Sequence, residues 1–321
     1  MALIIQYTLI FASVLILVAL GGMFSERSGV INIGLEGIMV FGALGGAFVL
    51  SQISAGTSPF VIVLLTILVS ALCGMISSLL LAVAAINFKA DQTLVGTAIN
   101  MLATAAATVI VTSFNTARTA NEPQQDFSDI LKYNEQRESL LLSIGSFKFN
   151  WFIIIAVLVL AAATVILYKT RFGLRLWSCG EHPQAADSVG INVYKMRYAG
   201  VLISGALGGI GGITYISSAS AEWKFSTGVT GAGFLALAVM IFGQWKPLYI
   251  AGSALLFGFF YALSFTYSGF DILLKALDVL HLPSETFQML PYIISLIVLA
   301  LTSKKSRAPK AEGIPYDKGT R

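Results

Sequence analysis

The sequence predicts an all-α fold: a polytopic transmembrane bundle of about nine helices, with eight or ten spans fitting nearly as well. Three observations carry this prediction. Apolar residues make up 56% of the 321-residue chain and charged residues 11%, less than half the roughly 25% typical of soluble domains. Mean hydropathy is +0.82, and apolar runs close to the length of a membrane crossing recur along the chain. The Lys/Arg excess gathers in two stretches flanking such runs, which is a topology signal and gives no reason to expect nucleic acid as a partner. Disorder is excluded, because disordered segments are poor in apolar residues and rich in charge.

The first run, about Ala2 to Phe24, carries no charge. It lacks the basic n-region and small-residue cleavage site of a signal peptide, so it is expected to be a retained helix. Ser25-Glu26-Arg27-Ser28-Gly29 breaks it, and a second run follows from about Val30 to Leu50. A polar turn at residues 51–59 leads to a third run, Phe60 to Ile86, and Asn87 to Asp91 leads to a fourth, about Thr93 to Phe114. Residues 115–150 form a polar loop in which Phe127, Ile130, Leu131, Asn134, Arg137 and Leu141 lie at helical spacing, predicting a short surface helix.

The fifth span, Trp151 to Tyr168, has aromatic residues at its ends, as interfaces favour. A second polar loop, 169–197, precedes the glycine-rich sixth span, Tyr198 to Ile216. The last three candidates are about Phe234–Phe242, Leu248–Phe265 and Phe287–Leu301. The Phe234 run is short and preceded by Gly228, Gly231 and Gly233, so it is expected to be a broken or re-entrant helix, which only protein or a wet cavity can shelter. Residues 1–301 are thus expected to form one transmembrane domain, and residues 302–321 a basic tail.

Orientation follows from Lys and Arg near the span ends. Lys304, Lys305, Arg307, Lys310, Lys318 and Arg321 mark the tail, and Lys169, Arg171, Arg175, Lys195 and Arg197 mark the 169–197 loop. Both are placed in the cytoplasm. The 115–150 loop, with acidic residues balancing the basic ones, is placed outside, and nine spans put the amino terminus outside too.

Within the spans only Glu36 is ionisable, and charge at that depth normally faces the bundle interior, a partner or water. Asn32 lies at the i, i+4 spacing that shares a helix face with it. Either the two form a polar strip along a substrate path, or Glu36 pairs near the membrane surface with a helix end or with Arg27. Asn100 is a third polar candidate, as a ligand contact or as an interhelical hydrogen bond. Gly42-Ala43-Leu44-Gly45-Gly46 recurs as Gly205-Ala206-Leu207-Gly208-Gly209, an internal repeat or a chance match of small residues.

The missing motifs narrow the function further. The chain has no phosphate loop, no His-Glu-x-x-His zinc motif and no Gly-x-Ser-x-Gly elbow. Cys73 and Cys179 fall in dissimilar segments, so no disulfide framework is expected. No arginine ladder marks a voltage sensor, and the several intramembrane acids of many proton-coupled carriers are missing. Transport driven by another chain is the expectation that remains. An autonomous carrier or channel is the alternative, and an intramembrane enzyme is disfavoured.

The loop Thr170 to Ile191 is the most informative stretch. Ala185, Ala186, Val189 and Ile191 recur at helical spacing around a stop at Gly190, giving a short amphipathic helix suited to a partner's groove, or else an ordinary solvated loop helix. Gly173, Gly180, Glu181, Pro183, Ala185, Ala186, Gly190 and Ile191 occur in the order of a motif on the cytoplasmic loop of certain permeases. On these residues the sequence resembles the membrane-spanning permease subunits of bacterial ABC importers for ribose, other simple sugars, nucleosides and branched-chain amino acids. His182 replaces the family's usual Asn, and Ser178-Cys179 its usual small Ala. Glu26 to Gly37 is most similar to the nucleoside branch, and Asp91 to Asn100 and Gly228 to Gly243 also have family-like counterparts.

The resemblance implies a transport subunit that is not itself an enzyme. A separate ATP-binding subunit, carrying ATP and Mg, would dock on the 180–191 helix, and this chain would bind no cofactor or metal. It further implies a second, different permease chain, an external substrate-binding lipoprotein, a bacterial plasma-membrane setting, and nucleoside uptake. The same machine for ribose, another sugar or a branched-chain amino acid is the near alternative.

Overall fold

The computed structural model describes residues 2–54, 56–119, 129–132, 140–144, 147–219, 222–266, 286–302 and 308–319. Four helices open the chain: α1 (Ala2–Arg27), α2 (Leu35–Gln52), α3 (Pro59–Ala82), extended by a π-helical turn at Val83–Asn87, and α4 (Gln92–Thr119). Three short strands follow, β1 (Ile130–Lys132), β2 (Leu141–Ile144) and β3 (Phe147–Asn150), then α5 (Trp151–Lys169). Two short helices come next, α6 (Arg171–Glu181) and α7 (Pro183–Ser188), and then α8 (Val193–Ala219). Strand β4 (Glu222–Lys224), α9 (Ala232–Phe242), α10 (Pro247–Thr266) and α11 (Thr286–Thr302) complete the order.

Among the described residues, eight helical stretches are long and apolar enough to cross a membrane, and Met289–Val298 within α11 is a shorter ninth. The chain is therefore a multi-pass helical membrane protein. Helices α1 and α8 form the centre, with α2, α3, α9 and α10 packed around them. On α3 the exposed residues Leu64, Leu68, Leu72 and Ile76 recur every four positions, a continuous lipid-facing stripe. The repeated small-residue segments of α2 and α8 meet each other: a Cβ on Gly42 would lie 2.2 Å from Gly209 Cα. Gly74 of α3 is equally tight against the Gly205 carbonyl. Small residues let the three backbones touch where lipid supplies no hydrophobic drive.

One expectation is corrected. The helix predicted from Phe127 to Leu141 is absent from its described part. Instead β1 pairs antiparallel with β4, Leu131 opposite Trp223, and β2 pairs with β3. The helical spacing was incidental, because the partner that sets the structure of Ile130–Lys132 lies some ninety residues later, at Glu222–Lys224. The remaining residues of that prediction lie outside the described ones.

One end of the bundle collects Arg27, the π-turn, Lys169, α6, α7, the α9–α10 turn and the tail. Residues 308–319 of the tail lie against this end. The Ala311 amide donates to the Gly180 carbonyl (2.8 Å) and the Gly313 amide to the Gly29 carbonyl (3.2 Å). Arg197 donates to the Ile314 carbonyl (3.0 Å), and Lys89 pairs with Asp317 at 2.6 Å. The strands lie at the other end.

Candidate translocation site and coupling surface

Two interruptions of helical structure face each other inside the bundle. The first separates α1 from α2. Gly29, at φ +94°, takes the left-handed turn that ends α1; its amide donates to the Glu26 carbonyl (2.9 Å) and that of Val30 to the Ser25 carbonyl (3.2 Å), a Schellman closure. The chain then runs non-helically to Gly34. This corrects the shared face expected of Asn32 and Glu36, since Asn32 precedes the helix. Its Nδ2 donates to Ser204 Oγ on α8 (2.9 Å), and its buried Oδ1 has no hydrogen-bond partner among the described residues.

The second interruption precedes α9. A 3₁₀ turn at Phe225–Thr227 leads into a tight loop where Gly228, Thr230 and Gly231 all have positive φ. Helix α9 has only 11 residues, about 16 Å of rise, half of a hydrocarbon core roughly 30 Å thick. Its amino terminus opens among the packed helices, and Glu36 fills it. The Gly231 amide donates to Glu36 Oε1 (2.8 Å) and the Gly233 amide to Oε2 (2.7 Å). A carboxylate at a helix amino terminus satisfies orphan N–H groups and complements the helix dipole. Of the two partners expected for Glu36, the helix end is the one it takes; Arg27 is engaged elsewhere.

Asn100 locks α4 onto the first interruption. Its Nδ2 donates to the Ile33 carbonyl (3.0 Å), and its Oδ1 accepts from the Gly37 amide (2.7 Å). Asn32, Glu36 and Asn100 thus gather around one break, each in part as a structural hydrogen-bonding group. Sequence reasoning missed the tyrosines that hold the second break. Tyr215 (α8) bonds Thr230 Oγ1, Tyr261 (α10) lies 3.3 Å from the Tyr215 hydroxyl, and Tyr292 (α11) donates to the Thr230 carbonyl (2.7 Å). Tyrosine inside an apolar span was the available signal, because a buried phenol needs a partner.

On the half-exposed α4, Thr93, Thr97, Thr104, Thr108, Thr112 and Thr116 follow one another mostly at four-residue spacing, a hydroxyl stripe about 34 Å long. Thr97, Thr108 and Thr116 each donate to the carbonyl four residues back (2.8 Å). That bond uses the hydroxyl proton, and a hydroxyl oxygen bonded in this way can also accept.

At the basic end, α6 and α7 form one folded-back unit. Thr170 caps α6 through the Gly173 amide (3.3 Å), and Pro183 starts α7. Gly190 closes α7 as Gly29 closes α1: its amide donates to Asp187 and that of Ile191 to Ala186. The motif residues divide by exposure. Gly173, Gly180, Pro183 and Ala186 are buried, Glu181 and Ile191 half-buried, and Ala185 and Gly190 exposed beside His182, Gln184, Ser188 and Val189. Gly180 lies so close to α1 that a Cβ there would stand 2.4 Å from the Arg27 carbonyl oxygen. Cys179 is wholly buried with Ala186, Val193 and Tyr316 of the tail, and burial pushes its thiol up to about 11.

A family profile described as the permease component of a branched-chain amino acid transport system matches residues 4–299. The guanosine ABC transporter permease protein NupQ of Bacillus subtilis is 42% identical, covering all of this chain and 98% of its own length. The nucleoside ABC transporter permease protein NupC of Lactococcus lactis is 41% identical over 98% of this chain and 96% of its own. NupB, a further nucleoside ABC transporter permease protein of the same Lactococcus strain, is 28% identical over 40% of this chain and 39% of its own. No solved structure matches significantly.

Proposed function

The chain belongs to the branched-chain amino acid transport system permease family, and from that premise we propose that it is the membrane-spanning subunit of an ATP-driven nucleoside importer. The observation that carries the substrate class is identity above 40% to two permeases named for guanosine and for nucleosides, along essentially the whole chain. The chain works as a transport subunit, with ATP hydrolysed by a partner.

The geometry supports a neutral ligand. Half-helix amino termini in transporters bind anionic groups, but here Glu36 already occupies the Gly231 and Gly233 amides. A ligand carboxylate would meet a carboxylate, which disfavours an amino acid. A nucleoside offers hydroxyls and base N–H groups, which suit the free Oδ1 of Asn32 and the lone pairs along the α4 threonines. Asn32, Glu36 and Asn100 are the polar groups assigned to the path, with Glu36 and Asn100 also shaping it.

The basic end lies in the cytoplasm, with the tail, by the excess of Lys and Arg near the span ends. The ATP-binding subunit, which holds ATP and Mg, docks on the exposed rim of α7: His182, Gln184, Ala185, Ser188, Val189 and Gly190. A second, different permease chain completes the path along α4, in line with NupB and NupC both occurring as nucleoside permeases in one strain. The strands at the outer end face a substrate-binding lipoprotein.

The test is uptake of tritiated guanosine and uridine into proteoliposomes holding the assembled complex. Uptake should require ATP, the ATP-binding subunit and the second permease, and unlabelled leucine or ribose should not compete. Uptake by this chain alone without ATP would overturn the importer reading, and competition by leucine or ribose would overturn the substrate class. The Ala186→Pro variant should lose the ATP-binding subunit on co-purification while the chain remains folded.

A further inference from the structure

We propose that Arg27, Glu26 and Trp245 form a positioning relay that carries motion of the α6–α7 coupling unit to the half-helix α9. The proposal rests on the reading that α7 docks the ATP-binding subunit; the relay itself is built from contacts within this chain.

Arg27 and Glu26 end α1 and are almost wholly buried, 5% and 4% exposed. Arg27 faces two elements at once. Toward α6, its Nη1 lies 3.9 Å from Glu181 Oε1, and its guanidinium sits 4.3 Å from the centre of the Trp177 ring. Trp177 in turn donates from Nε1 to the same Glu181 oxygen (3.4 Å), holding the carboxylate in place. Toward α9, Arg27 Nη2 donates to the Trp245 carbonyl (3.1 Å), and the Trp245 indole N–H donates to Glu26 Oε2. One guanidinium therefore joins the end of the coupling unit to the turn that closes α9.

The α9 turn is the element such a link can move. Gln244 and Trp245 have φ of 51° and 54°, a region that bulky residues adopt only when their surroundings hold them there. Trp245 is held by the pair of α1-end contacts and by its own amide, which donates to the Met240 carbonyl (3.3 Å). At its other end α9 is gripped by Glu36, next to the break that Asn32 and Asn100 line. A shift of α6 relative to α1 has to change the Arg27 fork, the fork fixes the Trp245 carbonyl, and α9 is short enough to move as a rigid piece. Glu181 and the α9 turn do not touch directly; the Arg27 guanidinium is what ties one to the other. The planar guanidinium donates to the Trp245 carbonyl while its other arm lies within ion-pair range of Glu181 and its face lies near Trp177, a combination that a lysine ammonium on a flexible stem reproduces poorly.

The experiment uses the complete complex in proteoliposomes, carrying Arg27→Lys, Trp245→Phe, Glu26→Leu or Glu26→Gln. It reads co-purification of the ATP-binding subunit, ATP turnover, and guanosine taken up per ATP hydrolysed. Arg27→Lys, Trp245→Phe and Glu26→Leu should assemble and hydrolyse ATP, while guanosine per ATP falls roughly tenfold, the scale expected when one link of a packed network is cut. Glu26→Gln keeps an acceptor for the indole and should retain most of the coupling. Unchanged uptake per ATP in Arg27→Lys and Trp245→Phe would overturn the relay. So would loss of the folded complex in all three disruptive variants, which would make the cluster purely structural. If the unaltered chain binds its ATP-binding subunit independently of α7, the docking reading fails instead. The relay is then read from a cysteine cross-link pinning α6 to α1, which should block uptake in the unaltered background and leave it unaffected if no relay exists.

Discussion

Glu36 shows how one side chain joins two breaks in a helical bundle. Its two oxygens accept from two backbone amides at the mouth of α9, so both are committed. Glu36→Gln keeps the shape but turns one acceptor into an NH₂ donor facing an N–H donor. An orphaned buried donor costs about 1–3 kcal/mol, and losing the negative charge removes the dipole term as well. The expected outcome is a lower melting temperature of the detergent-solubilised chain together with reduced guanosine uptake. Unchanged stability would mean that Glu36 does not cap α9. The sequence marked Glu36 because a lone acid in a span is costly, and that reasoning extended to a helix end as its partner. It did not reveal which helix end, because Gly231 lies 195 positions away and no local spacing encodes it. Arg27 was legible as a loop cation and as one of two partners considered for Glu36, yet among the described residues it is one of the most buried charges.

At the scale of elements, the break ahead of α9 was legible because Gly228, Gly231 and Gly233 precede a short apolar run, and the helix itself has only 11 residues. The α2 and α8 repeats were legible as a coincidence of small residues, and their direct packing gives that coincidence a cause. The β1–β4 pairing was not legible, since a strand of three residues takes its identity from its partner. The α4 stripe lay in plain view at four-residue spacing. A threonine back-bonded to its own helix, as Thr97, Thr104, Thr108 and Thr116 are, looks like an ordinary span residue. The stripe's proposed function is testable on the helix as a whole. Thr104→Val and Thr108→Val together preserve volume closely while removing two acceptors from the half-exposed face. Stability should shift by less than about 1 kcal/mol, as for exposed substitutions that break no network, while guanosine uptake falls several-fold. Equal uptake with equal stability would remove α4 from the path.

The tail gives the whole molecule a strap, and Glu312 makes that strap sensitive to pH. Residues 308–319 reach the carbonyls of Gly29 and Gly180, the guanidinium of Arg197, and Lys89 by the π-turn, thereby joining α1, α3, α6 and α8. The exposed Lys89–Asp317 pair adds little and is weakened by salt, so docking depends on the backbone bonds and on the burial of Tyr316 against Cys179. Burial pushes the Glu312 carboxyl above its usual range, against the lowering influence of its contact with Glu26 and of the Arg27 charge. The docked tail thus favours the protonated acid. Its contribution is complete below the carboxyl's ordinary value and is lost as pH rises through the raised one. Glu312→Gln mimics the protonated form and should remove that dependence. Cys179 reports the docking state, because the tail covers it. In inside-out vesicles, a membrane-impermeant maleimide should label Cys179 much faster after deletion of residues 308–321 than in the full chain. The ratio of labelling rates, unaltered over Glu312→Gln, cancels the thiol's own titration. It should stay near unity below the carboxyl's ordinary value and rise as the pH passes through the raised one. A ratio independent of pH would show that Glu312 does not govern the strap, and unchanged labelling after the deletion would show that the tail does not cover the coupling unit.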